Sequence, residues 1–249
     1  MPPPTYADVN GLQLYYEVHG SGPPLVLLHG GLLTIDLNFG AMIPALAGNH
    51  TVIAVELQGH GRTADVDREM TLENFADDIV TLLGRLAIDE ADFFGYSLGG
   101  CVSLALVARR PELVGKLVLA STPWRRDDFG IDGQLDPDRM PTPADGREWE
   151  AAYRRVAPDP DRFAALVSRL RALVGAIDGP SPQELAAIRA PTLILIGDRD
   201  FISIARAAEM LELIPDAQLA VLPDATHVEM IRRPEQILAI IAPFLAPAD

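Results

Sequence analysis

The 249-residue chain has one cysteine, Cys101, and one lysine, Lys116. A single thiol excludes an internal disulfide, and no Cys/His cluster has zinc-ligand spacing, so neither a disulfide framework nor a zinc site is expected. Cys101 heads an apolar helical run and reads as a small buried hydrophobe, not a reactive thiol. Positive charge is scarce as well: 20 Lys and Arg stand against 35 Asp and Glu, for a formal net charge of −15. Such a chain repels phosphate backbones and anionic lipid, which argues against nucleic acid or a membrane surface as partner. No apolar run approaches the roughly 18 residues needed to cross a bilayer. The N-terminal stretch MPPPTYADVNG has no basic segment leading into an apolar one, so no signal peptide is expected and the expected location is cytoplasmic.

What is present is a chain with 49% hydrophobic residues, enough for a full core in one domain. Strand and helix patterns alternate, which predicts a mostly parallel sheet covered on both faces. TYADV and LQLYYEV flank Asn10-Gly11, a hairpin turn signal. PLVLLHG (24–30) and HTVIAVEL (50–57) read as buried strands. TLENFADDIVTLLGRLAI (71–88) carries apolar residues at helical spacing behind a capping Thr71. ADFFGY, a helix from Ser97 to about Arg110, and the strand KLVLA (116–120) follow. The rhythm then changes. Residues 121–190 hold eight prolines and both tryptophans, Trp124 and Trp149, with helical patterns near 148–157 and 161–175. This stretch is expected to be an inserted lid on a core formed by 1–120 and 191–249. The βα rhythm resumes at PTLILIGDRD (191–200), with a helix near 203–213, the strand AQLAVL and a last helix from about 230 to 245.

The stretch GYSLG sets Ser97 between a strand pattern and a helix pattern. A serine in that position stands on a sharp turn with its hydroxyl exposed, and the glycines clear space that a Cβ would fill. The helix start beneath it favours developing negative charge. A serine hydroxyl is a weak nucleophile and needs a base. Of the five histidines only His227 follows Ser97, in a predicted loop at the same sheet edge. The base needs an orienting carboxylate. Asp198 and Asp200 both lie just past the strand LILIG; Asp200, further out, is the better placed to curl back to His227, and Asp198 to cap the turn.

These motifs resemble those of the α/β-hydrolase fold superfamily, in its serine-nucleophile, esterase- and lipase-like branch. They are His29-Gly30-Gly31, Gly59-His60-Gly61-Arg62-Thr63, Gly95 to Gly100, Gly197-Asp198-Arg199-Asp200 and His227. The resemblance implies an α/β-hydrolase fold: a mostly parallel eight-stranded sheet, helices on both faces, and a small helical lid after the sixth strand. It also implies Ser97 as nucleophile, Asp200 as acid, His227 as base, and the backbone N–H groups of Gly31 and Leu98 as oxyanion hole. His29 and His60 are then structural. Glu56 stands where relatives commonly have aspartate, and is expected to be structural too. The implied activity is hydrolysis of a small to medium, largely apolar carboxylic ester or lactone, with water as co-substrate and no cofactor or metal, by a monomer or homodimer.

Within the superfamily, Ser97 argues against dehalogenases and epoxide hydrolases, which carry aspartate at the elbow. The absence of lysine from 121–190 argues against hydroxynitrile lyases. HGGLLTI lacks the proline usual in cofactor-free haloperoxidases (perhydrolases), but that alternative stays open. Carbon–carbon bond hydrolases of ring-cleavage dienones remain open, as does a non-catalytic small-molecule receptor on the same scaffold. Trp124, Phe129, Leu135, Met140, Trp149, Tyr153 and Phe163 of the lid, with Leu32, Phe201 and Val228 of the motif loops, are candidates to line an apolar pocket over Ser97.

Overall fold

The computed structural model describes residues 5–125, 128, 136–177 and 179–246. Eight strands make one sheet: β1 (Thr5–Val9), β2 (Leu12–His19), β3 (Pro24–Leu28), β4 (Thr51–Val55), β5 (Ala91–Tyr96), β6 (Val114–Ala120), β7 (Thr192–Gly197) and β8 (Ala217–Leu222). The order across the sheet is β1-β2-β4-β3-β5-β6-β7-β8. β2 runs antiparallel to both neighbours, and all other pairs are parallel. The helices are α1 (Ile35–Phe39), α2 (Ile43–Leu46), α3 (Leu72–Arg85), α4 (Leu98–Arg109), α5 (Pro143–Val156), α6 (Phe163–Ala176), α7 (Pro182–Ala187), α8 (Ile204–Leu213), α9 (His227–Ile231) and α10 (Pro234–Leu245). This is the α/β-hydrolase architecture that the sequence motifs imply.

Local chemistry explains the main elements. Asn10 and Gly11 both adopt positive φ, 50° and 80°, which the tight turn from β1 to β2 requires. Central strands alternate between two cores because they are covered on both sides. Val26 and Leu28 of β3 face one hydrophobic cluster, and Leu25 and Leu27 face the other. Thr71 caps α3 by accepting the Asn74 N–H, and Phe75, Ile79, Leu82 and Leu83 form its buried face. α4 is apolar almost all round and buried along most of its length, as a helix pressed between sheet and neighbouring helices must be.

Between β6 and β7 lie α5, α6, α7 and short 3-10 turns at Pro137–Arg139 and Pro160–Arg162. α5 and α7 each start with a reciprocal cap, Thr142 with Asp145 and Ser181 with Glu184. Charged contacts fasten this segment to the rest. Arg162 and Arg169 reach Asp65 at 3.2 and 2.5 Å, Arg232 just after α9 reaches Asp145 at 2.6 Å, and Arg125 reaches Glu209 at 3.2 Å.

Two histidines sit at the carboxyl ends of central strands and hold loops there. His29 is fully buried, its Nδ1–H donating to the Gly30 carbonyl while Nε2 accepts the Leu57 N–H. His60 is also fully buried and donates from Nδ1 to the Gln58 carbonyl, its ring 4.9 Å from that of His29. Burial pushes both imidazoles down, to about 3 for His29 and about 4 for His60. Glu56 is fully buried as well and accepts N–H groups of Ile35 and Arg62 together with the Arg62 guanidinium. Burial pushes its carboxyl up to about 7, against the pull of those donors. It thereby ties the start of α1 to the loop after β4.

Two measurements check these assignments. A Cβ at Gly99 would lie 1.9 Å from the Leu28 carbonyl oxygen, whereas one at Gly146 of α5 meets nothing within 4 Å. Gly99→Ala is therefore expected to lower the unfolding free energy by about 3 kcal/mol or to prevent folding. Gly146→Ala is expected to raise it by about 0.5–1 kcal/mol in denaturant titrations. His29 and His60 stay neutral in the fold while the unfolded chain protonates them near the ordinary 6.5. Their contribution is complete above that pH and declines as pH falls toward 4. Two of the five histidine ring signals in NMR spectra are accordingly expected not to titrate between pH 8 and 5.

Candidate active site

The site is assembled at the carboxyl ends of β3, β5, β6, β7 and β8. β5 ends at Tyr96, and Ser97 turns the chain into α4 with φ 51° and ψ −113°. A non-glycine residue at positive φ is strained, and here the surroundings enforce it. The turn is possible because Gly95 and Gly99 approach backbone too closely to carry a side chain, and Gly100 is pressed against Thr122. The Ser97 N–H is held by the Ala120 carbonyl of β6 at 2.9 Å. That leaves its hydroxyl facing out, partly exposed.

His227 Nε2 lies 3.0 Å from Ser97 Oγ. His227 Nδ1 lies 3.0 and 3.1 Å from the two carboxylate oxygens of Asp200. An ionised carboxylate only accepts, so the network places the imidazole proton on Nδ1 and leaves the Nε2 lone pair for the serine hydroxyl. His227 is 7% exposed and Asp200 is fully buried. His227 is not in a loop, as its sequence context suggests, but is the first residue of α9. Thr226 caps that helix by accepting the Glu229 N–H. The Thr-x-x-Glu spacing is a readable start signal, and Pro234 then opens a separate α10 where one helix is expected. Tyr96 Oη donates to the His227 carbonyl at 2.6 Å, and the Phe201 ring lies 4.2 Å from the imidazole. Asp198 turns away and accepts the Ala225 N–H, which fixes the loop before α9. Asp200, not Asp198, is the carboxylate brought to His227.

On the other side of Ser97 lies the loop after β3. The Gly30 N–H is occupied by Asn38 Oδ1 at 2.9 Å. Gly31 makes no such bond among the described residues, and a Cβ on it would lie 4.0 Å from the Leu98 Cβ. Leu98 is the first residue of α4, so its N–H has no carbonyl one turn back. The loop after β3 at Gly31 and the start of α4 at Leu98 are therefore neighbours, and Leu98 directly follows Ser97 in the chain. Among the described residues no cluster of three or more His, Cys, Asp or Glu could hold a metal ion.

The expected pocket residues are spread more widely. Trp124 is 1% exposed, its backbone N–H donating to Asp128 and its ring covered by the Arg125 guanidinium. Tyr153 and Phe163 are buried against each other, 5.5 Å between ring centres. Met140 and Trp149 are half-buried against the core, and Leu32, half-buried, has φ 67°. Val228 is buried beside His227 in sequence, and Phe201 packs on the imidazole. Phe129 and Leu135 lie outside the described residues. Sequence reasoning missed three neighbours of the site. Leu170 of α6 would lie 3.5 Å from a Cβ on Gly31. Asn38 holds the Gly30 amide. Ser121 donates to Asp200 at 2.6 Å. Leu170 and Ser121 meet the site through contacts distant in sequence, for which no local pattern exists, and Asn38 through a loop that turns back on itself within eight residues.

A family model described as the Alpha/beta hydrolase family matches residues 25–240. The 2-hydroxymuconate semialdehyde hydrolase of a Pseudomonas species is 30% identical, over 96% of this chain and 92% of that protein. The pimeloyl-[acyl-carrier protein] methyl ester esterase of Nitrosospira multiformis is 27% identical, over 94% of this chain and 98% of that protein. The structure of a thermophilic esterase from Thermogutta terrifontis superposes with a TM-score of 0.76 at 25% identity, covering 97% of this chain and 96% of that one. With sheet order, serine turn and family match in agreement, the chain belongs to the alpha/beta hydrolase family.

Proposed function

We propose that the protein is a serine hydrolase that cleaves a small to medium, largely apolar and uncharged carboxylic ester or lactone. One observation carries this reading: the unbroken hydrogen-bonded series from Ser97 Oγ through His227 to Asp200. Ser97 attacks the carbonyl while His227 Nε2 takes its proton. Asp200 holds the imidazole tautomer and stabilises the imidazolium. The oxyanion is received by the Gly31 and Leu98 amides, each worth a few kcal/mol in such sites. His227 returns its proton to the leaving alkoxide. Water, activated by the same imidazole, then hydrolyses the acyl-enzyme.

Charge supports the choice of an uncharged substrate. Among the described residues of 121–190, every arginine is either paired with a carboxylate or exposed to solvent. The side chains beside Gly31, Leu98 and Leu170, and the ring packed on the His227 imidazole, Phe201, are apolar. The relative that acts on a muconate semialdehyde has, by its name, a carboxylate-bearing substrate. Its likeness to this chain supports carbon–carbon cleavage as the second reading, with the same nucleophile.

Turnover of p-nitrophenyl esters tests the first reading. Ser97→Ala and His227→Ala are expected to lose about 10⁴-fold in kcat/KM with the fold retained by circular dichroism. Asp200→Asn is expected to lose far more than Asp198→Asn. Near-normal turnover by folded Ser97→Ala contradicts the mechanism, and a wild type active only on dienones selects the second reading. Leu170→Ala enlarges the space beside Gly31 and is expected to move the preference from acetate toward butyrate and octanoate esters; an unchanged chain-length profile places the acyl group elsewhere.

A further inference from the structure

Asp200 accepts more than the histidine. Ser121 Oγ donates to its Oδ2 at 2.6 Å, and the Ile202 N–H donates to Oδ1 at 3.0 Å. The two donors act on different oxygens, so together with His227 they allow the carboxylate one orientation. The Ile202 bond is local, two residues along the same loop. The Ser121 bond is not: it crosses from the end of β6 to the loop after β7, 79 residues away in sequence.

Ser121 is fully buried and sits at φ 48°. That backbone region favours glycine or asparagine, and a serine there carries strain that the surrounding structure must enforce. The backbone around it is fixed on both sides. Its N–H donates to the Leu195 carbonyl of β7 at 2.8 Å, and the preceding carbonyl, of Ala120, accepts the Ser97 N–H at 2.9 Å. Two consecutive residues therefore hold both ends of the hydrogen-bonded series: Ala120 the turn that carries Ser97, Ser121 the carboxylate that faces His227.

We infer that Ser121 is a positioning residue of the active site, whose hydroxyl orients Asp200 and sustains its charge as the imidazolium forms. The inference rests on the proposed role of the Ser97–His227–Asp200 series. A short hydrogen bond from a buried hydroxyl to a carboxylate is of the stronger, charge-assisted kind. Without it Oδ2 is left with only its part of the His227 contact, and the carboxyl can rotate about its last bond. The consequence falls on the step in which His227 gains a proton, not on substrate binding.

Two substitutions separate the hydroxyl from the backbone. Ser121→Ala removes the hydroxyl and keeps the strained φ. Ser121→Gly removes it and relieves the strain. The expected result is a fall in kcat of about ten-fold in both, with KM nearly unchanged, although Ser121→Gly is at least as stable as Ser121→Ala. The downfield NMR signal of the His227 Nδ1–H proton is expected to shift or broaden in both variants. Wild-type kcat and an unmoved signal in the two variants overturn the inference. So does a kcat that follows stability, low in Ser121→Ala and restored in Ser121→Gly. The NMR signal does not depend on turnover: a wild type that hydrolyses no ester contradicts the proposed function, while the signal still decides the role of Ser121.

Discussion

The structure turns on a place where there is no room. Where β5 passes into α4, the helix lies so close to the sheet that Gly99 touches the Leu28 carbonyl and Gly95 touches the backbone of Gly99 and Gly100. Side chains at these positions would push the helix off the sheet. Because the helix is held down, the residue between strand and helix takes φ 51° and its side chain points away from the core. Strain of this kind costs about 1–3 kcal/mol and persists only in a rigid frame. The frame is the pair of hydrophobic clusters on the two sheet faces, to which nearly every central strand residue contributes.

The rest of the site is arranged around that turn by strand ends. The parallel strands β3, β5, β6, β7 and β8 stop at one edge, so the loops that follow them meet above Ser97. Each loop is pinned by a buried polar contact and not by bulk. Asn38 fixes the loop after β3 through Gly30, Asp198 fixes the loop before α9, and Tyr96 fixes the His227 carbonyl. The segment between β6 and β7 adds a further tie, since Arg139 donates to the carbonyls of Asp198 and Asp200 at 3.3 and 3.1 Å. Hydrogen bonds shielded from water in this way are costly to break, which holds each loop in one position. The three side chains of the central series are consequently in hydrogen-bond contact.

Much of this is legible in the chain before folding is considered. The strands announce themselves as apolar runs ended by glycine, α3 by its period and its threonine cap, and the serine turn by glycines on both sides. Short helices are harder. α1 and α2 are five and four residues long, too short for a period to emerge, and α9 shows only a cap. What local pattern cannot carry is contact between distant segments. Asp198 and Asp200 are separated by their positions relative to His227, and that separation is a matter of which way one loop turns. Ser121 looks like an ordinary residue after a strand, and its bond to Asp200 exists only because β6 and β7 are neighbours. Among the aromatic residues of 121–190, Tyr153 and Phe163 pack on each other, a pairing that no local pattern announces.

The proposed function requires that Ser97 become covalently acylated during turnover. The most direct test is to mix the protein with p-nitrophenyl acetate, quench within the first turnovers, and locate the added acetyl group by peptide mass spectrometry. The account predicts one acetyl group per chain, on the peptide containing Ser97, and none in Ser97→Ala. Steady release of p-nitrophenol with Ser97 unmodified at every quench time, or with the label on another residue, contradicts it.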